Sequence, residues 1–221
     1  MTKGFLSKKF LLFSLAFLSG LASWAQSPVP PTPVEFMFGN RKLDFQLVYK
    51  KNFTPESKFS LLTISVFSHN YDPEVTLGNS IVVPVQVNYA LGKKGFALAG
   101  GVEANSIAGV NTFGGLAHNF ANRKFLAITV WSFFFNEGKD MKLFGLYEFK
   151  PQLNEKWTWY NRMQFVYNTS LSESVHNRSF LYLRSGLKTG PLAFGLGADW
   201  DAYGPNKINK GNFGVFTRWE F

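Results

Sequence analysis

Three histidines, His69, His118 and His176, are where nucleophilic or acid–base chemistry near neutral pH would have to centre, because the chain has no cysteine. A Ser–His–acid site needs three groups converging within hydrogen-bond reach. His69 lies in Ser68-His69-Asn70, and His118 precedes Asn119. His176 has the one local cluster, with Glu173, Ser174 and Ser179 nearby. Residues that close along one turn are more often neighbours by chance, so the chain reads as non-enzymatic, with no catalytic residue assigned. No set of His, Asp and Glu has metal-ligand spacing, and Asp72 with Glu74 is at most a weak calcium motif. Gly100-Gly101 and Gly114-Gly115 are not phosphate loops, and no nucleotide motif exists. No metal and no cofactor is expected.

A second chemical set is electrostatic. Arg162, Arg184, Arg218, Glu103, Glu148 and Asp199 stand singly among small or bulky neighbours on one face of alternating segments. Buried charge persists only when paired or wet. What these six can do depends on the elements that hold them.

The chain has 221 residues, 46% hydrophobic and 18% aromatic, with a net charge of +9. Such a chain is not disordered. Lys3, Lys8 and Lys9 precede an apolar run from Phe10 to Ala22, and Ser23-Trp24-Ala25 offers a cleavage site before Gln26. Residues 1–25 therefore read as a secretory signal peptide, cleaved on export. Its loss removes three lysines, and the remaining basic residues form no block, which argues against nucleic acid. Residues 26–33 are a proline-rich linker.

From residue 34 onward no sustained helical period occurs. Segments alternate at period 2 between turn signals. Ile81, Val83, Val85, Val87 and Tyr89 share one face, as do Leu192, Phe194, Leu196, Ala198 and Trp200. Two segments, Asn111–Asn119 and Lys124–Phe135, do not divide cleanly. Ten turns bound eleven strands, and a short first strand at Val34–Phe38 makes twelve, with ten as the alternative. The apolar face carries Tyr89, Trp157, Trp159, Tyr167 and Trp200 near its ends, as an aromatic girdle at a bilayer interface would. The opposite face carries the isolated charges. Residues 34–221 thus predict an all-β fold, a single transmembrane antiparallel up-and-down barrel.

The last segment strengthens this. Phe213, Val215, Trp219 and the terminal Phe221 alternate, and the chain stops there. In this the sequence resembles the Gram-negative outer-membrane β-barrel superfamily. The resemblance implies that these four residues are an assembly signal read by the barrel assembly machinery. It also implies an outer-membrane location, an even strand number and both chain ends in the periplasm. The local signatures of barrel lipases and deacylases are not matched, since His69 is followed by Asn-Tyr and His176 by Asn-Arg-Ser.

Inside a barrel, Ala97, Ala99, Gly101, Ala193, Gly195 and Gly197 would leave space, which Tyr160 and Tyr182 either fill or line. The three arginines facing Glu103, Glu148 and Asp199 would set a field across a pore, or close it as a salt-bridge plug. The expected function is a narrow passive channel for small polar solutes. The alternatives are an accessory barrel docked to a larger envelope complex through Trp131, Phe133 and Phe135, and a lipid-acting enzyme. Expected partners are outer-membrane lipids and lipopolysaccharide, whose phosphates Lys207 and Lys210 could touch.

Overall fold

A computed structural model describes residues 31–221. The signal segment and most of the proline-rich stretch lie outside the described residues. Twelve strands follow: β1 (Pro33–Gly39), β2 (Lys42–Asn52), β3 (Phe59–Asn70), β4 (Ser80–Ala90), β5 (Phe96–Asn105), β6 (Gly109–Ala121), β7 (Phe125–Phe134), β8 (Asp140–Phe149), β9 (Thr158–Ser170), β10 (Val175–Thr189), β11 (Leu192–Tyr203) and β12 (Ile208–Glu220). Each pairs antiparallel with its sequence neighbour, and β1 pairs with β12, so the sheet closes on itself. Closure removes every edge, as a membrane requires of β structure. Two backbone bonds between Thr32 and Phe221, at 3.0 and 3.1 Å, extend the seam to the last residue.

Twelve strands is therefore the architecture. The ten-strand alternative needed residues 96–119 to form one bent strand. They form β5 and β6, hinged at Ser106–Ala108. The connection between β11 and β12 is tighter than its turn residues suggest. The turn residues of 201–211 close to a four-residue connection, 204–207, because β11 and β12 stay paired as far as Tyr203 and Ile208. Loop length does not separate the two ends of the barrel, so the end holding Thr32 and Phe221 is called here the terminal end and the other the distal end.

One ladder is interrupted. β3 and β4 pair from Leu62–Gln86 towards the terminal end and from Val66–Val82 towards the distal end, with a gap between. Pro84 sits at its centre. Proline has no N–H to donate and is tolerated in a sheet only where the ladder can spare one. On the lipid side of the gap, the Thr63 and Ser65 hydroxyls satisfy each other at 3.0 Å.

Alternation then fixes polarity. Val85, Leu196, Phe213, Val215 and Trp219 point outward and are exposed. Arg162, Glu148 and Asp199 point inward and are buried. A soluble barrel has the reverse arrangement. The molecule is a transmembrane barrel of the outer-membrane type. The predicted girdle faces outward in two bands, Tyr89, Trp157 and Trp159 towards the terminal end, where Trp219 joins them, and Tyr167 and Trp200 towards the distal end. β7 resisted division because both of its faces are largely apolar, and β6 because it is rich in small residues. Ala117, Ile128 and Val130 look inward into a small hydrophobic core with Leu62 and Leu146.

Candidate functional site

The inward side chains near the terminal end are packed. Tyr160 on β9, Gly186 on β10, Gly195 on β11 and Phe216 on β12 lie in register as one row across four strands. The two rings reach over the two glycines and meet at a centroid distance of 5.6 Å. A Cβ on Gly195 would fall 2.5 Å from the Gly186 Cα, so only glycine lets the strands and rings come this close. Gly197 likewise gives its space to Met37, which is buried. The small residues make room, and aromatic and thioether side chains take it.

Around that row runs a charge ladder. Arg162 donates through both terminal nitrogens to the Glu35 carboxylate, at 2.6 and 2.7 Å. Arg184 donates to Glu35 at 2.9 Å and to Asp199 at 2.5 Å. Arg218 pairs with Glu148 at 2.8 Å, and Tyr160 donates to the same carboxylate at 3.3 Å. Lys150 closes the set on Glu148 at 2.9 Å. The three arginines thus pair with the acids Glu35, Glu148 and Asp199. Bidentate geometry is the strong form of such a pair.

Five of the six predicted lumen charges join this ladder: Arg162, Arg184, Arg218, Glu148 and Asp199. Glu103 does not. It lies nearer the distal end, paired with Lys142. Its place is taken by Glu35, which sequence reasoning missed. Arginines and acids also do not face each other as two walls. They interlock as chords, Glu35 on β1 reaching β9 and Arg218 on β12 reaching β8.

A second cluster sits towards the distal end. Asp201 accepts from Arg178 at 2.8 Å, Lys42 at 3.2 Å and the Tyr182 hydroxyl at 3.0 Å. Lys42 also pairs with Asp44 at 3.2 Å, and Asp44 accepts from Ser68. Asp199 and Asp201, two residues apart on one face of β11, anchor one tier each. Period 2 is what places them both inward. Beside this distal cluster, lined by residues of β3 to β10 that include Arg178 and Tyr182, lies a cavity of about 100 Å³.

The histidines are dispersed over the outer side of the wall. His69 is exposed on β3, and His118 lies tilted against Phe96 with ring centroids 4.7 Å apart. His176, expected in a loop, is on β10 beside a bulge that slips the register between His176 and Arg178. Its Nδ1–H donates to the Gly204 carbonyl at 2.8 Å, and its Nε2 lies 3.1 Å from the Ser179 hydroxyl. A carbonyl can only accept, so neutral His176 presents a lone pair to Ser179. In the distal loop, Asp72 accepts from the Glu74 backbone N–H at 3.0 Å, a turn-forming role.

No family model and no curated protein matches the chain. Among solved structures it is similar to the NanC porin, with a TM-score of 0.47 and 9% identity over 87% of this chain and 99% of that one. The KdgM porin gives a TM-score of 0.49 and 11% identity over 86% and 99%. The KdgM porin in complex with disordered oligogalacturonate gives 0.49 and 12% over the same shares. The likeness at these scores is one of general outline, and the barrel assignment rests on the closed ladder and its inverted polarity.

Proposed function

We propose that the protein is a narrow conduit for small polar solutes across the outer membrane, gated by the charge ladder, with the present geometry as its closed form. The observation that carries this is the reach of the ion pairs. Charges that only needed neutralising could pair with a neighbouring strand, as Arg184 does with Asp199. Glu35 with Arg162 and Glu148 with Arg218 instead join walls four strands apart across the lumen. Buried ion pairs are a poor way to stabilise a core compared with apolar packing, and a polar path is the function that needs them. Planar-bilayer conductance tests the reading. Wild-type barrels should open briefly and rarely, and Arg162→Ala should lengthen the openings. Silence from both proteins sinks the conduit.

His176 and Ser179 favour a second reading, a serine site acting on lipid esters at the distal rim. A nucleophile within reach of a base that a third group orients is the usual arrangement. A fluorophosphonate probe applied to the folded barrel separates the readings: labelling lost in Ser179→Ala supports a lipid-acting site, and no labelling removes it.

A further inference from the structure

The lipid-facing wall of the barrel is not evenly filled. The inward-facing row Glu148–Arg162–Arg184–Gly197–Gly214 crosses β8 to β12 in register, and from outside its backbone is the floor of a groove. The distal wall of the groove runs from Tyr147 to Phe213 and the terminal wall from Phe149 to Val215, one outward side chain per strand. Four strand spacings of about 4.8 Å make it about 19 Å long, the length of one extended fatty acyl chain.

The terminal wall has a polar notch. Asn161 and Ser185, partners across β9 and β10, stand there between apolar neighbours. The Trp159 Nε1–H donates to the Ser185 hydroxyl at 3.1 Å, and that hydroxyl donates to Asn161 Oδ1 at 2.9 Å. An indole nitrogen can only donate, which fixes the direction of the chain and leaves the Asn161 amide nitrogen as its open end. That nitrogen has one contact, the Phe149 carbonyl at 3.5 Å, the outer limit of a hydrogen bond. Asn161 is half-buried and Ser185 exposed, so the notch is open to a guest in the groove. A donor facing hydrocarbon is costly until it is met. An ester carbonyl accepts and donates nothing, and it is the group that meets a lone donor beside an acyl chain.

Charge continues the same line. The connections at the terminal end carry seven basic and two acidic residues, those at the distal end three and four. Arg123 and Lys124 precede Phe125, which lines the groove, and Lys156 lies in the connection that leads from Phe149 into β9. All three are exposed, and none forms an ion pair among the described residues. Lys156 sits over the Trp157 ring at 5.6 Å, at the level of the girdle. An anionic headgroup is the complement of such a rim.

We propose that this groove holds a two-chain glycerophospholipid with an anionic headgroup. One acyl chain lies along the floor, and a glycerol ester carbonyl accepts from the Asn161 amide nitrogen. The phosphate reaches the terminal rim, against Arg123, Lys124 and Lys156. The site is on the outer wall, so it stands whether or not the lumen conducts.

Native mass spectrometry of the full barrel in nonionic detergent counts the lipids that stay bound. Dioleoyl phosphatidylglycerol is the probe, with dioleoyl phosphatidylcholine and lipid A as competitors. Wild type should retain a single phosphatidylglycerol, at least about tenfold more readily than phosphatidylcholine, since each basic residue near an anionic headgroup is worth about fivefold. The triple variant Arg123→Gln/Lys124→Gln/Lys156→Gln should erase that preference. Lys58→Gln/Lys93→Gln/Lys94→Gln removes the same charge from connections away from the groove and should leave it. Asn161→Leu should weaken retention of both phospholipids about fivefold. Ala198→Phe fills the groove and should abolish retention. Heat-modifiable migration on gels establishes that each variant is folded, and the two charge variants, on exposed connections, carry the test should a groove variant not assemble. Four results overturn the site: no preference in wild type, equal losses from the two charge variants, undiminished retention by folded Asn161→Leu or Ala198→Phe, or lipid A retained over phosphatidylglycerol.

Discussion

Glu35 and Arg162 share two parallel hydrogen bonds of 2.6 and 2.7 Å although they stand four strands apart around the barrel. Both are buried, and Arg184 donates to the same carboxylate at 2.9 Å. One acid on the shortest strand therefore holds two arginines from β9 and β10. Removing it leaves Arg162 without its carboxylate and Arg184 with Asp199 alone.

Glu35→Ala should destabilise the folded barrel by about 3–5 kcal/mol, the usual cost of leaving a buried charge unpaired. The double variant Glu35→Leu/Arg162→Leu should recover part of that loss. The temperature at which the compact band unfolds on gels measures both. A fall for the double variant equal to the sum of the single ones would show that the pair is not coupled.

Outward polarity predicts a depth-dependent cost of charge. Val85 lies midway along β4 and is 50% exposed on the lipid face. Val85→Arg should cost about 2–4 kcal/mol, whereas Phe221→Arg at the interface should cost about 0–1 kcal/mol of folded stability. Urea unfolding from lipid vesicles checks the difference. Equal effects at the two sites would contradict the membrane placement.

The Tyr160–Gly186–Gly195–Phe216 row predicts a sharp contrast between glycines. Gly195→Ala forces its Cβ onto backbone at Gly186 and Ser185, which cannot swing away, and should cost about 1–3 kcal/mol or block assembly. Gly190 has φ +54° in an open turn, where an added Cβ meets nothing within 4 Å. Gly190→Ala should cost about 1–2 kcal/mol through backbone strain alone. Refolding yield and urea midpoint distinguish the two.

The girdle gives a fourth test. Trp159 and Trp219 are each more than two-fifths exposed on the outer wall near the terminal end. Replacing either by alanine should lower stability in vesicles by about 1–3 kcal/mol while leaving detergent-solubilised secondary structure intact. The same loss in a bilayer and in detergent micelles of any length would argue against a role at the headgroup level.

The strands, their number and the side each residue faces were legible because a membrane barrel writes them into a period of two. Val215 and Arg218 declare their sides from sequence alone. The partners were not legible. Which acid meets Arg162 depends on the stagger and cross-section of the closed sheet, and neither is a local property of the chain. Glu35 was hidden for a second reason: it sits on a seven-residue strand beside a proline-rich stretch, too short to show alternation with any weight. Glu103 was grouped with the wrong tier because period 2 gives its side of the wall but not its height. The β11–β12 turn looks longer in sequence than it is because Asn209, Lys210 and Gly211 have the composition of a turn, while the hairpin ladder already runs from Ile208.

The Pro84 break in the β3–β4 ladder has a mechanical consequence. A cylinder hydrogen-bonded all round resists hoop tension equally everywhere, but this one lacks ladder pairing at mid-height between Ile64 and Pro84. Thermal opening of the sheet should therefore start at that break.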